Sequence, residues 1–565
     1  MKTNMGEAAW YESTLDPADR YGRRLKRIKP FKAVAPEQTI ANIRGCLLDM
    51  GLSLVEKTVH VEDGCYAYCL VLKDNARQEG IFQTIGKGMT DDYARASAYG
   101  EMIERIQNLA FYMMLKYPTE PEITGPFVKN TFKYYPDEIE LTDKELYNGI
   151  ARLLHTNTSA NDFIHSKAAL GAPFRNIFGE KIEYLPIRAF QVILGSNGMC
   201  SGNTPAEALI HGICEVFERY VLKQFFLAPF CPPDIPLDMF AGHAIHKKLI
   251  HLSLNYEYAI YVKDCSLGSR LPVIGLLIRD RWGRYAFHLG CDPSPITALE
   301  RCLTEMYQGG QIFFRDANEL EDISGDVHTS EYWRTQLHLN IRGNMGHWPI
   351  AVVQQESDNP FPGFDHPVSV SDDLDLEYIL GIIKDAGWDL LIRDNSFLGI
   401  PSYHVFIPGI SEMANIVSDA FVRQYLLFDR WIPVITNPMD AFPMQREAAS
   451  KKIEQYALEA PSHLFRCAEY LMYFPRHPFN NMSPTTLKEI LLKPEVLDQT
   501  PGIPACFKCE TCCHTKHCSY TLISSIWERL KQKMITHFPN QNDLRNLVKG
   551  NIAGAINSND GNKIP

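Results

Sequence analysis

Two stretches of the chain carry the same charged pattern, Glu-x-x-Glu-Arg, at residues 101–105 and 215–219. Each lies in a segment whose residues recur at three- and four-residue spacing, which is typical of a helix. The second segment has a clear start, since Thr204 is a good N-cap, Pro205 suits the first turn and Glu207 stands where a capping box requires it. The repeat predicts an internal duplication with two equivalent helices.

Charged residues of both helices, and of a third helical segment at 296–311, fall on single helix faces. A Gly-rich turn is predicted before each of the first two helices, at residues 85–89 and 195–202. The first helix is expected to run from residue 91 to 115. The predicted rows of polar and charged residues are Glu101 with Glu104, then Glu207, His211, Glu215 and Glu218, and finally Arg301, Glu305 and Gln308.

These rows have two interpretations. A helix with one glutamate per turn is most often a solvated surface. Carboxylates that border a buried face instead repel one another unless cations or protons compensate their charge. Oxygen ligands suit Mg²⁺, which usually arrives with phosphates that Arg and Lys side chains hold. Neither a P-loop at residues 86–90 nor a serine-hydrolase elbow fits the spacing, so an unusual magnesium–nucleotide site is the alternative to a solvated face.

Composition restricts the class of protein. At roughly 150 residues per domain, the 565 residues predict three or four domain-sized units. An apolar content of 45% excludes a largely disordered chain, and a net charge of −11 argues against a general nucleic-acid-binding protein. Since no apolar stretch reaches about 18 residues and no signal-like start is visible, we expect a soluble, cytoplasmic protein without membrane or nucleic-acid partners.

Strand-like and helical segments alternate between about residues 31 and 440, which predicts a mixed α/β body. Residues 1–30 form a basic N-terminal arm, interpreted as a solvated segment or as a contact for a phosphate-rich partner. Helical periodicity dominates residues 441–565, the predicted helical C-terminal region. Short strands are expected at 66–72, 273–278, 285–289 and 403–407.

A cluster of cysteines and histidines lies in the C-terminal region. Two-residue gaps let successive thiolates wrap one Zn²⁺ ion, and the C-x₂-C-x₂-C run also suits an iron–sulfur cluster. Redox or sulfur-relay cysteines, and cysteines without any ligand, are the remaining interpretations. The candidate ligands are Cys506, Cys509, Cys512, Cys513, His514, His517 and Cys518.

Three sequence blocks, at 85–105, 196–221 and 298–305, resemble the signature blocks of the YcaO family. The resemblance extends from about residue 31 to 416. It implies a pseudo-duplicated core with mixed sheets, usually a homodimer, that binds ATP and Mg²⁺ without a P-loop. It also implies an enzyme of the cyclodehydratase or thioamide synthetase class, which phosphorylates a backbone amide oxygen of a peptide or protein. Attack by a side chain or by sulfide then gives an azoline or a thioamide.

The resemblance assigns contacts to individual residues of this chain. His211 stands where the family commonly has glutamine, and its imidazole is expected to titrate near neutral pH. No general base is identified. The residues that match carboxylates binding Mg²⁺ or the nucleotide are Glu101, Glu104, Glu207, Glu215 and Glu218. Further nucleotide-contacting positions are matched by Lys32, Thr39, Asn203, Arg219, Arg301 and Glu305.

The partners implied are a peptide or protein substrate and a further protein that delivers this substrate or donates sulfur. A sulfur-handling role of the cysteine cluster would favour thioamide formation or a methylthiolation-linked function. Two alternatives stay open. One is a non-catalytic ATP-binding protein that assists another modifying enzyme, and the other is an ATP-dependent enzyme that acts on a small carboxylate or amide.

Overall fold

The computed structural model describes residues 32–62, 64–74, 80–109, 135–154, 170–186, 194–316, 331–354, 356–364, 371–413, 442–459, 488–489, 492–493 and 529–538. The predicted basic arm and the cysteine cluster lie outside these residues. Helices and sheets alternate along the described chain, which confirms the mixed α/β class. Every strand pairing in this part of the chain is antiparallel.

The N-terminal layer is a three-stranded sheet with two helices against it. Strands β1 (Leu52–Glu62), β2 (Cys65–Asp74) and β3 (Gly80–Gly88) are hydrogen-bonded in that order. Helices α1 (Pro36–Asp49) and α2 (Asp91–Gln107) pack against each other and against the sheet. The chain therefore returns from β3 directly into α2, the first of the two predicted glutamate helices.

The prediction of a Gly-rich turn at 85–89 is wrong, because residues 85–88 form the end of strand β3 and Met89 follows it. Gly86 and Gly88 let the strand lie directly on α2. A Cβ atom built on Gly86 would stand 2.1 Å from the backbone nitrogen of Ala98, and one on Gly88 would stand 2.6 Å from that of Ala94. The two glycines therefore serve the contact between strand and helix, not a turn.

The central sheet collects strands from distant parts of the sequence, because its order is β4-β5-β12-β13-β7 with β6 paired to β5. Helix α3 (Asp143–Leu154) packs against β6. The strand predicted at 403–407 is confirmed within β13. The strands are β4 (Ile139–Glu140), β5 (Leu170–Asn176), β6 (Lys181–Pro186), β7 (Met199–Ser201), β12 (Leu391–Asp394) and β13 (Ser402–Phe406).

A four-stranded sheet of order β11-β10-β9-β8 forms the third layer. Helices α5 (Ala244–Tyr256) and α6 (Pro295–Met306) pack against it, and α6 ends before the predicted residue 311. The strands predicted at 273–278 and 285–289 are confirmed here. The strands are β8 (Asp234–Ile235), β9 (Ala259–Asp264), β10 (Val273–Arg279) and β11 (Tyr285–Cys291).

Helix α4 (Pro205–Leu227) lies between the central sheet and the four-stranded sheet. It contacts β7 and β13 on one side, and β10 and β11 on the other. Its apolar residues Ile213, Phe217 and Val221 are buried in the largest described core, as the sequence predicts for that face. Helices α7 (Glu331–Gly343) and α8 (Asp372–Asp385) also pack on α4.

Helix α2 is shorter than the predicted segment 91–115. It ends at Gln107, because Leu109 adopts a left-handed backbone with a φ of 53° that cannot continue the helix. In the C-terminal region the structure describes α9 (Pro443–Glu459) and helical residues 529–537. No helix among the described residues is long and apolar enough to cross a membrane.

The 529–537 helix contacts the N-terminal layer and the central sheet. Arg529 Nη1 donates a hydrogen bond of 2.7 Å to the carbonyl oxygen of Met50, at the end of α1. Phe538 packs edge-on against Tyr135, with 5.3 Å between ring centres, and also faces Phe397. Residues from the two ends of the described chain therefore meet beside α1.

Candidate functional site

Helices α2, α4 and α6 begin in the same way. Each follows a strand, and the hydroxyl of a capping residue accepts a hydrogen bond from a backbone N–H of the first turn. The sequence predicts such a cap only for α4, at Thr204, and the structure shows an equivalent start for α2 and α6. The pairs are Tyr93 N with Thr90 Oγ1 at 3.3 Å, Glu207 N with Thr204 Oγ1 at 3.1 Å, and Thr297 N with Ser294 Oγ at 3.4 Å.

Equivalent positions on these three helices face one cavity of about 790 Å³. Counted from the capping residue, Glu101, Glu215 and Glu305 occupy the same place. Three- and four-residue steps on either side lead to residues on the same helix face. One turn earlier stand Ser97, His211 and Arg301, and one turn later stand Glu104, Glu218 and Gln308. The three helices therefore present equivalent faces to the same space.

All twelve residues that the sequence assigns to the nucleotide or Mg²⁺ line this cavity, although they are spread over residues 32–305. They come from the loop before α1, from α1 itself, from the residue that precedes the cap of α4, and from the three capped helices. These residues are Lys32, Thr39, Glu101, Glu104, Asn203, Glu207, His211, Glu215, Glu218, Arg219, Arg301 and Glu305.

At one end of the cavity, α1 meets the start of α4 through a chain of hydrogen bonds. Thr39 Oγ1 donates to Asn203 Oδ1 at 2.9 Å, and Asn203 Nδ2 donates to Glu207 Oε2 at 3.1 Å. Lys32 Nζ lies 3.5 Å from Glu207 Oε1, and the N–H of Ala33 donates to Glu207 Oε2 at 3.2 Å. Glu207, which a capping box would bond to the start of its own helix, therefore binds the loop before α1 instead.

The arginines of the repeated pattern fix the glutamates one turn before them. Arg219 Nε donates to Glu215 Oε1 at 2.9 Å, and its Nη1 donates to the carbonyl oxygen of Ile341 at 2.9 Å. Arg105 Nη2 lies 3.5 Å from Glu101 Oε1 in the equivalent pair of α2. Each of these arginines therefore holds the carboxylate of its own helix in place.

Lys87 on β3 lines the cavity, although no pattern in the sequence assigns it to the site. Successive strand residues point to opposite faces, so the glycines at 86 and 88 face α2 and Lys87 faces the cavity. Its ammonium pairs with the carboxylate of Glu305 and lies 3.5 Å from Gln308 Oε1. Gln308 Nε2 donates to the carbonyl oxygen of Ile85 at 3.1 Å. The end of β3 is therefore joined to the end of α6.

Burial and crowding change the proton affinity of several groups in the cavity. Burial raises the pKa of Glu218, and it raises the pKa of Glu104 well above its usual range. The neighbouring carboxylate of Glu215 raises both further. Burial also lowers the pKa of Lys87 to about 8, against the opposing effect of Glu101 and other acidic neighbours. Burial therefore disfavours the charged forms of these side chains, whether acidic or basic.

The expectation that His211 titrates near neutral pH is wrong. Burial lowers the pKa of its imidazole well below the usual value, and the positive charges of Arg301, Lys32 and Lys87 lower it further. His211 is therefore neutral at pH 7, like the glutamine that the family commonly has at this position.

The described side chains at the cavity do not form a complete metal site by themselves, so a bound phosphate would have to supply further ligands. No three His, Cys, Asp or Glu side chains of the described residues are arranged to hold a metal ion by themselves. Mg²⁺ needs only one or two carboxylates when phosphates and water supply its other ligands. Thr297 Oγ1 is buried at the cavity and has no hydrogen-bond partner among the described residues. The zinc or iron–sulfur prediction for residues 506–518 concerns residues outside the described structure.

A family model described as YcaO cyclodehydratase, ATP- and Mg²⁺-binding, matches residues 85–411 of the chain. The chain belongs to the YcaO family. The matched range begins within β3 and contains all three capped helices. Lys32 and Thr39, at the α1 end of the cavity, precede it.

Two curated relatives match this YcaO chain over about 400 residues. The chain is 27% identical over 415 residues to the "Ribosomal protein S12 methylthiotransferase accessory factor YcaO" of Escherichia coli (strain K12), covering 68% of this chain and 66% of the relative. It is 24% identical over 413 residues to a Haemophilus influenzae protein, again covering 68% and 66%. The chain therefore spans just under two thirds of the length of these relatives.

Solved structures with similarity to this YcaO chain include a "Heterocyclase in complex with substrate and Cofactor". It is 18% identical, with a TM-score of 0.44, and the match covers 67% of this chain and 53% of the other. A second is "The structure of YcaO from Methanopyrus kandleri bound with AMPPCP and Mg2+". It is 17% identical, with a TM-score of 0.41, and the match covers 69% and 94% of the two chains.

Proposed function

We propose that this YcaO protein binds ATP with Mg²⁺ in the cavity between α2, α4 and α6 and uses it to activate a backbone amide of a peptide or protein. The observation that carries the proposal is the equivalent placement of Glu101, Glu215 and Glu305 around one cavity. Carboxylates for Mg²⁺ beside arginine and lysine for phosphate are the combination that a magnesium nucleotide requires.

The donor set fits the proposed ligands. The raised pKa values of Glu104 and Glu218 reflect buried carboxylates that a divalent cation would stabilise in the charged form. We assign Mg²⁺ to a subset of five carboxylates, with phosphates completing its coordination. These five are Glu101, Glu104, Glu207, Glu215 and Glu218. We assign nucleotide contacts to Lys32, Thr39, Asn203, His211, Arg219, Arg301 and Glu305.

The proposed reaction has two steps. ATP with Mg²⁺ would supply a phosphoryl group to the amide oxygen of the substrate, and ADP would leave. A thiol, a hydroxyl or sulfide then adds to the activated carbon, and phosphate departs with the former amide oxygen. In the first step Arg219, held by Glu215 and Ile341, is preorganised to bind phosphate oxygens. His211 stays neutral and offers a hydrogen bond without changing the charge of the site.

The product and the partners belong to the proposal as well. A side-chain nucleophile gives an azoline and sulfide gives a thioamide, and both outcomes are consistent with the same phosphorylated intermediate. We propose a peptide or protein substrate, with a further protein that delivers it or donates sulfur, and a homodimeric enzyme. Zn²⁺ or an iron–sulfur cluster at residues 506–518 is not needed for either step.

A second candidate function is an accessory role, in which the chain binds ATP and assists another modifying enzyme. It is favoured by the name of the Escherichia coli relative, an accessory factor of a methylthiotransferase. The two candidates differ in turnover. An amide-activating enzyme converts ATP to ADP when its substrate is added, whereas an accessory protein binds ATP without substrate-stimulated turnover.

Calorimetric titration of ATP with and without Mg²⁺ tests the shared part of both proposals. Wild type should bind ATP in a magnesium-dependent manner, and Glu215→Ala should lose this binding. Glu447→Ala, which changes an exposed carboxylate on α9, is the matched control and should bind like wild type. Absence of binding by folded wild type would contradict the nucleotide site.

Release of ADP in the presence of peptide libraries, small carboxylates and small amides then tests the substrate class. We expect peptides that carry Cys, Ser or Thr, or peptides supplied with sulfide, to stimulate ADP release. Mass spectrometry distinguishes the products, because azoline formation removes water and thioamide formation exchanges oxygen for sulfur. Stimulation by small carboxylates alone would contradict peptide-amide activation.

A further inference from the structure

The third capped helix differs from the first two in how its glutamate is held. On α2 and α4, an arginine one turn later pairs with the glutamate at the shared position. The residue four positions after Glu305 is Gly309, which lies beyond the end of α6 and has no side chain. Glu305 pairs instead with Lys87, a residue of another layer of the fold. The cation that pairs with Glu305 therefore comes from a strand and not from the helix itself.

The Gly-Lys-Gly sequence explains why that cation can reach the cavity. The glycines on either side bring β3 into backbone contact with α2, where any larger residue would meet Ala94 or Ala98. The lysine between them must point the opposite way. Gln308, which bonds Ile85, fixes the same end of the strand to α6. Lys87 thus extends from a rigid strand, and its side chain keeps 27% of its surface accessible.

Lys87 lies at the opposite end of the cavity from the other lining lysine. Lys32 pairs with Glu207 near the start of α4. Lys87 faces the charges of Glu101, Glu215 and Glu218. Because Glu207 and Glu218 are separated by about 16 Å along the helix, at 1.5 Å per residue, the two lysines mark distinct ends of the site.

The two ends have different chemistry. The α1 end adds apolar wall residues such as Val34, Pro36 and Ile43, which suit a base and a sugar. The Lys87 end carries the glutamate rows and the arginines, which suit phosphates with their metal ions. A triphosphate that runs from the α1 end brings its terminal phosphate toward Lys87.

We propose that Lys87 contacts the terminal, transferable phosphate of the bound nucleotide and leaves Glu305 when it does so. The proposal rests on the proposed nucleotide site. Arg219 is held by Glu215 and by the carbonyl oxygen of Ile341, so it binds phosphate oxygens only from a fixed position. Lys87 has a long flexible side chain and a compact ammonium, so it can exchange a carboxylate for a phosphate oxygen without moving the strand.

The test compares nucleotides that differ only in the terminal phosphate. Wild type, Lys87→Met and Lys87→Arg are titrated with ATP and with ADP, both with Mg²⁺. We expect Lys87→Met to weaken ATP binding by about tenfold or more, the effect of one lost charge-assisted contact, and to change ADP binding by less than about twofold. Lys87→Arg should recover part of the ATP affinity. Lys57→Met, an exposed lysine of the same sheet, is the control.

A double-mutant cycle with Glu305→Gln separates phosphate contact from mere support of Glu305. If Lys87 contacts phosphate, Lys87→Met still weakens ATP binding when residue 305 is already glutamine. If Lys87 only holds Glu305, the Lys87→Met substitution does not weaken ATP binding further in the Glu305→Gln protein, and the proposal is overturned. Equal losses for ATP and ADP, or no loss, overturn it too. Wild type that binds neither nucleotide would overturn the proposed function itself, whereas wild-type binding with an unchanged variant would overturn only the role of Lys87.

Discussion

The guanidinium carbon of Arg393 lies 4.8 Å from the centre of the Phe538 ring. Arg393 is almost fully buried on β12, where Asp137 accepts a hydrogen bond of 2.8 Å from it and the Tyr135 ring lies 4.2 Å away. A residue from the end of the described chain therefore completes the surroundings of a buried charge in the central sheet. Cation–π contacts gain strength when water is excluded, so the 529–537 helix and β12 stabilise each other.

Phe538→Ala tests this mutual stabilisation. Removing a buried phenylalanine ring costs about 3–5 kcal/mol in typical cores, and here it also uncovers the buried arginine. We expect hydrogen exchange of the amides in 529–537 and in β12 to accelerate together. Ile535→Ala removes a half-exposed side chain of the same helix and should leave β12 protected. Acceleration confined to the helix would contradict a coupling to the sheet.

Glu101→Ala and Glu218→Ala should separate ligand binding from stability. Each removes a carboxylate from a crowded cavity, so the ligand-free protein should unfold at the same temperature or higher. Each should weaken Mg²⁺–ATP binding by at least about tenfold, equivalent to roughly 1.4 kcal/mol. Scanning calorimetry measures the unfolding temperature and titration calorimetry measures the affinity for Mg²⁺–ATP, both on one preparation. Unchanged affinity in both variants would refute the assignment of these carboxylates.

The ionisation of Glu412 should make the free energy of unfolding depend on pH. Burial raises the pKa of this carboxyl to about 7, while the N–H of Gly409 donates to its Oε1 at 2.7 Å. Since the folded pKa lies above the unfolded one, the native state binds the extra proton between about pH 4.5 and 7, and stability falls as pH rises through that range. Above about pH 7 a buried charge remains, with Lys223 as its neighbouring cation.

Glu412→Gln should therefore stabilise the protein at pH 8 and have little effect at pH 5, because the amide keeps an acceptor for Gly409 and carries no charge. Thermal unfolding at the two pH values measures the difference. Glu447→Gln, on an exposed carboxylate, should shift the unfolding temperature equally at both. A stabilisation of the same size at pH 5 would rule out ionisation of Glu412 as the cause.

Gly86→Ala and Gly45→Ala should have opposite effects. A Cβ on Gly86 meets the backbone of α2 at 2.1 Å, so the strand must move, and we expect a loss of about 3 kcal/mol or more. Gly45 is in the interior of α1, and a Cβ there would meet no atom within 4 Å, so alanine should add about 0.5–1 kcal/mol. Denaturant unfolding measures both, and equal effects would contradict the strand–helix contact.

Local signals in the sequence were sufficient for the start of α4 and for the face on which its charged residues lie. Thr204 and the three- and four-residue spacing of Glu207, His211 and Glu215 determine the start and the face of α4 without reference to distant residues. The pairing of β7 with β13 depends on contacts between residues some 200 apart, which no local pattern reports.

Lys87 shows where sequence reasoning can mislead. Two glycines beside a lysine are typical of a phosphate-binding turn, although their spacing here does not fit a P-loop. The alternative of a strand with its glycines against a helix depends on α2, which lies next to β3 only once the layer has folded. A strand is recognised in a sequence by side chains that alternate in polarity, but glycines have no side chain and so hide this alternation.

The hydrogen bond from Arg529 to Met50 joins residues 479 positions apart. Ribosomes make the chain from its N-terminus, so α1 leaves the exit tunnel long before its partner has been translated. The α1 wall of the cavity therefore acquires this contact only after residue 529 has been translated, and a product that stops before residue 529 never acquires it.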